Sequence, residues 1–84
     1  MNVYYITFRS VTQAQRGERV LGERGIRCFL GRTPKWMEEQ GCGYSLRVLT
    51  GDIREAVAAL NRARVPLRRV YVQREDGGLE GVAL

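Results

Sequence analysis

The sequence predicts an α+β sandwich, with two helices packed on one face of a four-stranded antiparallel sheet. Three observations predict it. The chain has 84 residues and is 44% hydrophobic, which suits one domain with its own core. Apolar periodicity switches between the strand and helix repeats in the order β-α-β-β-α-β. Each helical stretch opens on capping-box spacing, with Ser10 before Gln13 and Asp52 before Glu55. That order is the ferredoxin-like split βαβ arrangement, and right-handed crossovers give it the sheet order 4-1-3-2. The domain is assigned to residues 1–74. The Gly-rich residues 75–84 are expected to form a loose tail, although Leu79, Val82 and Leu84 could dock.

The elements follow in order. Val3 to Phe8 is rich in β-branched and aromatic residues and predicts the first strand. Ser10 caps the first helix, whose stripe of Ala14, Val20 and Leu21 is weak. Gly17 and Gly22 each lower its propensity by about 1 kcal/mol relative to Ala, so this helix depends on packing. Gly25 supplies a left-handed stop. Ile26 to Leu30 predicts the second strand, and Thr33-Pro34 starts a short turn or helix through Trp36 and Met37. Gly41-Cys42-Gly43 breaks it, and Tyr44 to Leu49 predicts the third strand. Ile53, Ala56, Val57, Leu60 and Ala63 form a clear helical stripe behind Asp52. Pro66 separates that helix from a fourth strand, Arg68 to Gln73.

Composition excludes several chemistries. The chain has no histidine, so a histidine base, a Ser-His-Asp triad and a His-ligated metal are all ruled out. Two cysteines cannot build an all-Cys zinc site, and neither metal nor cofactor is expected. No apolar run approaches the roughly 20 residues of a membrane span. Met1-Asn2-Val3-Tyr4-Tyr5 lacks the basic and apolar regions of a signal peptide, so a cytoplasmic protein with reduced thiols is expected. Thirteen arginines give most of the net charge of +5, interleaved with acids from Arg9 to Arg74. This is first a solvated basic surface and second a nucleic-acid footprint. Glu38-Glu39 and Glu75-Asp76 read as solvated carboxylates, and Asp52-Glu55 as a cap rather than an acid–base pair.

The topology gives the two cysteines different roles. The start of the third strand shares a sheet end with the C-terminal ends of the first two and with the start of the first helix. Cys42 stands there between glycines, which leave the backbone free and the thiol unshielded. Arg9, Ser10, Thr12 and Arg47 form its expected surroundings, with Arg32 and Lys35 as further neighbours. A helix N-terminus and nearby cations favour thiolate, the reactive form. Cys42 is therefore a candidate activated thiol, against the plainer reading of a small residue in a tight turn. Cys28 alternates with Ile26 and Leu30 toward the helices and reads as a small core hydrophobe. The two cysteines fall about 10 Å or more apart, too far for a disulfide.

The opposite sheet face collects Arg27, Tyr5, Thr7, Phe29, Arg47, Arg69 and Tyr71. Arginines and aromatics on an open sheet suit base stacking, but the third strand lacks the glycine–aromatic signature of an RNA-recognition domain. A self-association face, hence a homodimer, outweighs nucleic acid on this reading.

Three segments resemble a known family. They are Tyr5-Ile6-Thr7-Phe8-Arg9-Ser10 with Thr12, Ala14, Glu18 and Leu21; Gly25-Ile26; and Cys42-Gly43-Tyr44-Ser45-Leu46-Arg47 with the helix from Asp52 to Leu60. Together they cover roughly residues 4–72. They resemble the small selenium/sulfur carrier-like proteins, a Cys-Gly domain. The resemblance implies that Cys42 carries sulfur or selenium as a persulfide or perselenide, with Gly43 as its partner and Ser10 in the neighbouring helix start. It implies donor and acceptor proteins as partners, and a carrier rather than a stand-alone enzyme. The alternative reading is a non-catalytic binding module that uses the open sheet face.

Overall fold

Ser10 turns the end of a strand into the start of a helix. Its backbone is extended (φ −144°, ψ 157°), and its side-chain oxygen accepts a hydrogen bond from the Gln13 N–H at 3.2 Å. This satisfies one of the N–H groups that a helix start leaves without a partner. The computed structural model describes residues 2–35, 43–49 and 53–82. Within them the elements are β1 (Val3–Thr7), α1 (Val11–Glu23), β2 (Cys28–Arg32), β3 (Tyr44–Val48), α2 (Ile53–Arg62), β4 (Arg69–Gln73) and β5 (Leu79–Val82). The expected turn through Trp36 and Met37 and the Asp52 cap lie outside the described residues.

Among the described residues the protein is α+β, with two α-helices and one antiparallel sheet. The sheet order is β2-β3-β1-β4-β5. The first four strands keep the neighbours that right-handed crossovers predict. The four-strand count is corrected to five, because residues 79–82, assigned to the loose tail, pair antiparallel with β4 from Gln73↔Leu79 to Val70↔Val82. The reason is local turn chemistry. Gly77 takes φ +87°, its N–H donates to the Arg74 carbonyl at 2.9 Å, and the Arg74 N–H donates to the Gly78 carbonyl at 2.8 Å. The Asp76 carboxylate accepts from the Gly78 N–H at 2.8 Å, and Arg74 pairs with both Asp76 and Glu80. A short loop with glycine at its left-handed position closes a hairpin, so the glycines that suggested looseness make the turn.

The Gly78 N–H, and then the Arg74 guanidinium, hold the Asp76 carboxyl below its ordinary value of 3.8. A depressed acid contributes its stability above the unfolded value and loses it as pH falls through the folded one. The β4–β5 hairpin is therefore expected to loosen selectively below about pH 4. Cross-strand amide contacts in NMR spectra check this, and an Asp76→Asn variant should lose the pH dependence.

Both helices leave through the same motif. At the end of α1, Gly25 (φ +74°) donates to the Gly22 carbonyl and Ile26 donates to the Leu21 carbonyl. At the end of α2, Arg64 donates to Asn61 and Val65 donates to Leu60. Each is a Schellman closure with an apolar clasp, Leu21 to Ile26 and Leu60 to Val65, all four residues buried. The first closure holds Ile26 in the core and delays β2, which starts at Cys28 instead of the predicted Ile26. The second puts a non-glycine residue, Arg64, at φ +59°. Arg64→Gly should relieve that strain and raise stability by about 1 kcal/mol, measured by urea unfolding.

The core lies between the sheet and the helices. Ile6, Phe8, Leu21, Leu46, Val48 and Leu60 are fully buried in one cluster that also takes in Ala14, Ala56 and Val70. The register aligns Tyr4, Ile6, Leu46, Val48, Val70 and Val72 on the helix side. α1 comes close because Gly17 is buried over this layer. A Cβ there would stand 3.0 Å from the Phe8 ring tip, 3.1 Å from Leu46 Cδ1 and 3.3 Å from Leu60 Cδ2. The residue that weakens the helix in isolation is the one that lets it pack.

Candidate functional site at one end of the sheet

Gly43 fixes the geometry of the site. It adopts φ +80°, a left-handed conformation that side chains disfavour. Its carbonyl accepts from the buried Thr33 N–H at 2.8 Å, one step beyond the Arg32↔Tyr44 pair. The chain thus rejoins the sheet at a closed base, with β2 and β3 locked together on either side of residues 34–42. Cys42, together with Gly41, Glu38 and Glu39, lies outside the described residues.

The strand register identifies what surrounds this end. Thr7 ends β1 opposite Ser45 on one side and Arg69 on the other. The start of β3, the ends of β1 and β2, the start of β4 and the Ser10 cap therefore share one edge of the sandwich. α1 carries no acidic residue in its first turn, so no side chain of its own offsets the positive end of its dipole. Arg9 and Thr12 are exposed beside that cap. Arg32 ends β2 here, its guanidinium 5.7 Å from the centre of the Tyr44 ring. Exposed Lys35 lies two residues beyond Thr33.

Arg47 stands elsewhere. It pairs with Phe29 and Tyr5, three residues into β3 from Tyr44, roughly 10 Å along the strand. Its guanidinium lies 5.5 Å from the Phe29 ring centre. It belongs to the open sheet face with Tyr5, Phe29, Arg69 and Tyr71, whose register matches the face read from the sequence. A depression of about 300 Å³ runs over this face between Tyr5, Phe29, Gly31, Ser45 and Arg47 and reaches Pro34 near the site end.

Sequence reasoning missed Arg68 and Arg69 as members of the site end. The Arg68 N–H donates to the Thr7 carbonyl at 2.8 Å. The Thr7 hydroxyl accepts from the Arg69 N–H at 3.1 Å and donates to the Arg69 carbonyl at 3.4 Å. The signal was available, since an antiparallel fourth strand must begin where the first one ends.

Cys28 is half-buried against the core and pairs with Val48, four residues along β2 from Arg32. That is roughly 13 Å from the site end. Burial, and secondarily the Glu18 carboxylate, push its thiol above the ordinary value of 9.0. Less thiolate is then present near pH 7 than for a free thiol. Iodoacetamide should label Cys28 in the native protein more slowly than a model thiol. Peptide mass spectrometry reads this, and equal or faster labelling would contradict the placement.

Among the described residues no cluster of His, Cys, Asp or Glu could hold a metal ion, and no helix is long and apolar enough to cross a membrane. No curated protein and no solved structure matches the chain. A family match spans residues 3–72, taking in the first cap, the Cys42-Gly43 step and the strands on both sides of it. The chain belongs to the family described as "Putative Se/S carrier protein-like".

Proposed function

We propose that the protein carries sulfur or selenium on Cys42, as a persulfide or perselenide, and passes it to an acceptor protein. The observation that carries this reading is the family match, which runs through Cys42-Gly43. The geometry on either side supports it. Gly43 holds the following residue at the sheet end, beside a helix start free of acids in its first turn and near Arg9, Arg32 and Lys35. Positive potential of that kind favours thiolate. We read the fold as a ferredoxin-like sandwich extended by one strand, with Gly43 at the sheet end where β3 begins.

The chemistry is thiol–persulfide exchange. The Cys42 thiolate attacks the terminal sulfur of a donor persulfide. A bond forms between that sulfur and Cys42 Sγ, the donor S–S bond breaks, and the donor thiolate leaves with its electron pair. The number of S–S bonds is unchanged, so no oxidant or reductant is consumed. The reverse logic delivers the sulfur to an acceptor thiolate. A thiol flanked by glycines in the sequence suits this handover between proteins. The chain is a carrier within such a sequence, not a stand-alone enzyme, and needs no resident cofactor. Its partners are a persulfide donor such as a cysteine desulfurase, and an acceptor.

Incubation with a cysteine desulfurase and sulfur-labelled cysteine tests the reading. Label should attach to the protein without reductant and leave on addition of a thiol. A protein that takes no label under conditions that load a known carrier would sink the proposal.

A further inference from the structure

We propose that the exposed residues of the sheet face turned away from the helices, Phe29, Gly31 and Arg47 at the depression together with Arg69, dock the persulfide donor, and that they recognise an acidic patch on that protein. This rests on the carrier reading of Cys42.

Charge sorting on the sheet points to it. The positions of the five strands that face away from the helices, from Val3, Tyr5 and Thr7 across to Gly81, include no Asp or Glu. Their ionisable cations are Arg47 and Arg69, both exposed, and neither is ion-paired with a described residue. The acids of the described residues lie elsewhere. Glu18, Glu23 and Glu55 are on the helices, Glu75 and Asp76 are in the β4–β5 turn, and Glu80 shares the helix side with Val72. A face with two cations and no acid attracts a negative surface and steers its approach.

The other occupants fit less well. A second copy seated face to face would bring Arg47 and Arg69 against like charges, since a two-fold interface is self-complementary. RNA would need free aromatic faces for stacking. Tyr71 is only 8% exposed, and the Phe29 ring already carries the Arg47 guanidinium. Thr7 and Ser45 are buried as well, so the accessible parts of the face are Phe29, Gly31 and Arg47 on one side and Arg69 on the other, and a protein surface can use these as they stand. Phe29, 44% exposed, offers an apolar anchor beside an arginine, the pairing that interface centres favour. Gly31 leaves the depression open, because a Cβ there would meet nothing within 4 Å. The depression also ends at Pro34, one residue from the Thr33–Gly43 clamp. A donor docked here has its persulfide within reach of the site end.

Steady-state loading of the full chain by a cysteine desulfurase is the test, run beside loading by glutathione persulfide. The double variant Arg47→Glu with Arg69→Glu should raise KM for the carrier about tenfold at low salt, with kcat within about twofold. Loading by glutathione persulfide should not change. Arg19→Glu with Arg54→Glu alters net charge equally on the helix layer and should leave KM unchanged. Gly31→Trp should raise KM by filling the depression without altering the charge. Circular dichroism melts establish that each variant folds, and Arg47→Ala with Arg69→Ala replaces the double reversal if it does not. An unchanged KM in the open-face variants, or an equal rise in the helix-layer control, overturns the proposal. So does self-association, or RNA retention at physiological salt, that the Arg47 and Arg69 changes abolish while KM stays fixed. If neither donor loads Cys42, the carrier reading falls and takes this inference with it. Loading by both donors with KM indifferent to the face removes this inference alone.

Discussion

Phe8→Ala is expected to remove about 3–5 kcal/mol of stability, the largest single loss among core changes outside the site. The ring is fully buried and its tip faces the buried glycine of α1, Gly17. Total stability of a small domain is about 5–15 kcal/mol, so the variant should lie near the unfolding threshold. The same contact gives Gly17→Ala an unexpected sign. Propensity alone would gain about 1 kcal/mol, but the new methyl meets Phe8, Leu46 and Leu60 at the distances given above, and overpacking of this kind costs about 1–3 kcal/mol. A net loss is expected. Gly22→Ala, where a Cβ meets nothing within 4 Å, should instead gain up to about 1 kcal/mol. Urea unfolding of the variants reads all of these. The combination of Phe8→Leu with Gly17→Ala should lose less than the sum of its parts, since the smaller side chain vacates the space the methyl needs. A stabilising Gly17→Ala would contradict the packing described here.

Cys42→Ser should abolish sulfur loading, while Cys28→Ser should leave it intact. The difference is chemical before it is structural. A serine hydroxyl has no accessible anion near pH 7 and cannot form the S–S bond on which a persulfide depends. Cys28 keeps its thiol, but burial and Glu18 disfavour its thiolate, and it sits at the far end of the β2–β3 ladder from Gly43. Loading of Cys42→Ser at the wild-type level would transfer the role to Cys28 and refute the assignment. The Cys28→Ser arm also guards against a structural artefact, since it removes a side chain packed on the core and should cost stability without costing function.

Much of the fold was legible because the signals were local. Ser10 and Gln13 announced a cap that the structure contains, and the alternation of Ile6, Leu46, Val48 and Val70 separated the two sheet faces correctly. The fifth strand was missed because Glu75-Asp76-Gly77-Gly78 was read by its glycine content. Its turn chemistry, with an Asp capping an N–H ahead of a left-handed glycine, was the informative property. The shift of β2 had a related cause. Whether Ile26 begins a strand or clasps a helix end depends on a hydrogen bond to Leu21 that periodicity does not report. At the site, the Gly43 turn and the Ser10 cap were readable from single residues. Arg68 and Arg69 were not, because their place at this end comes from a pairing across 62 positions of chain, Thr7 with Arg69. Arg47 was read from the sequence both near the thiol and on the open face, and the strand register places it opposite Phe29 and Tyr5 on that face.

The most direct measurement of the central claim is residue-resolved mass spectrometry of the protein after reaction with a cysteine desulfurase and cysteine, digested without reductant. The account predicts one added sulfur on the peptide that contains Cys42 and Gly43, lost on treatment with a thiol, and none on the peptide that contains Cys28. An unmodified Cys42 peptide, under conditions that load a known carrier, would contradict it.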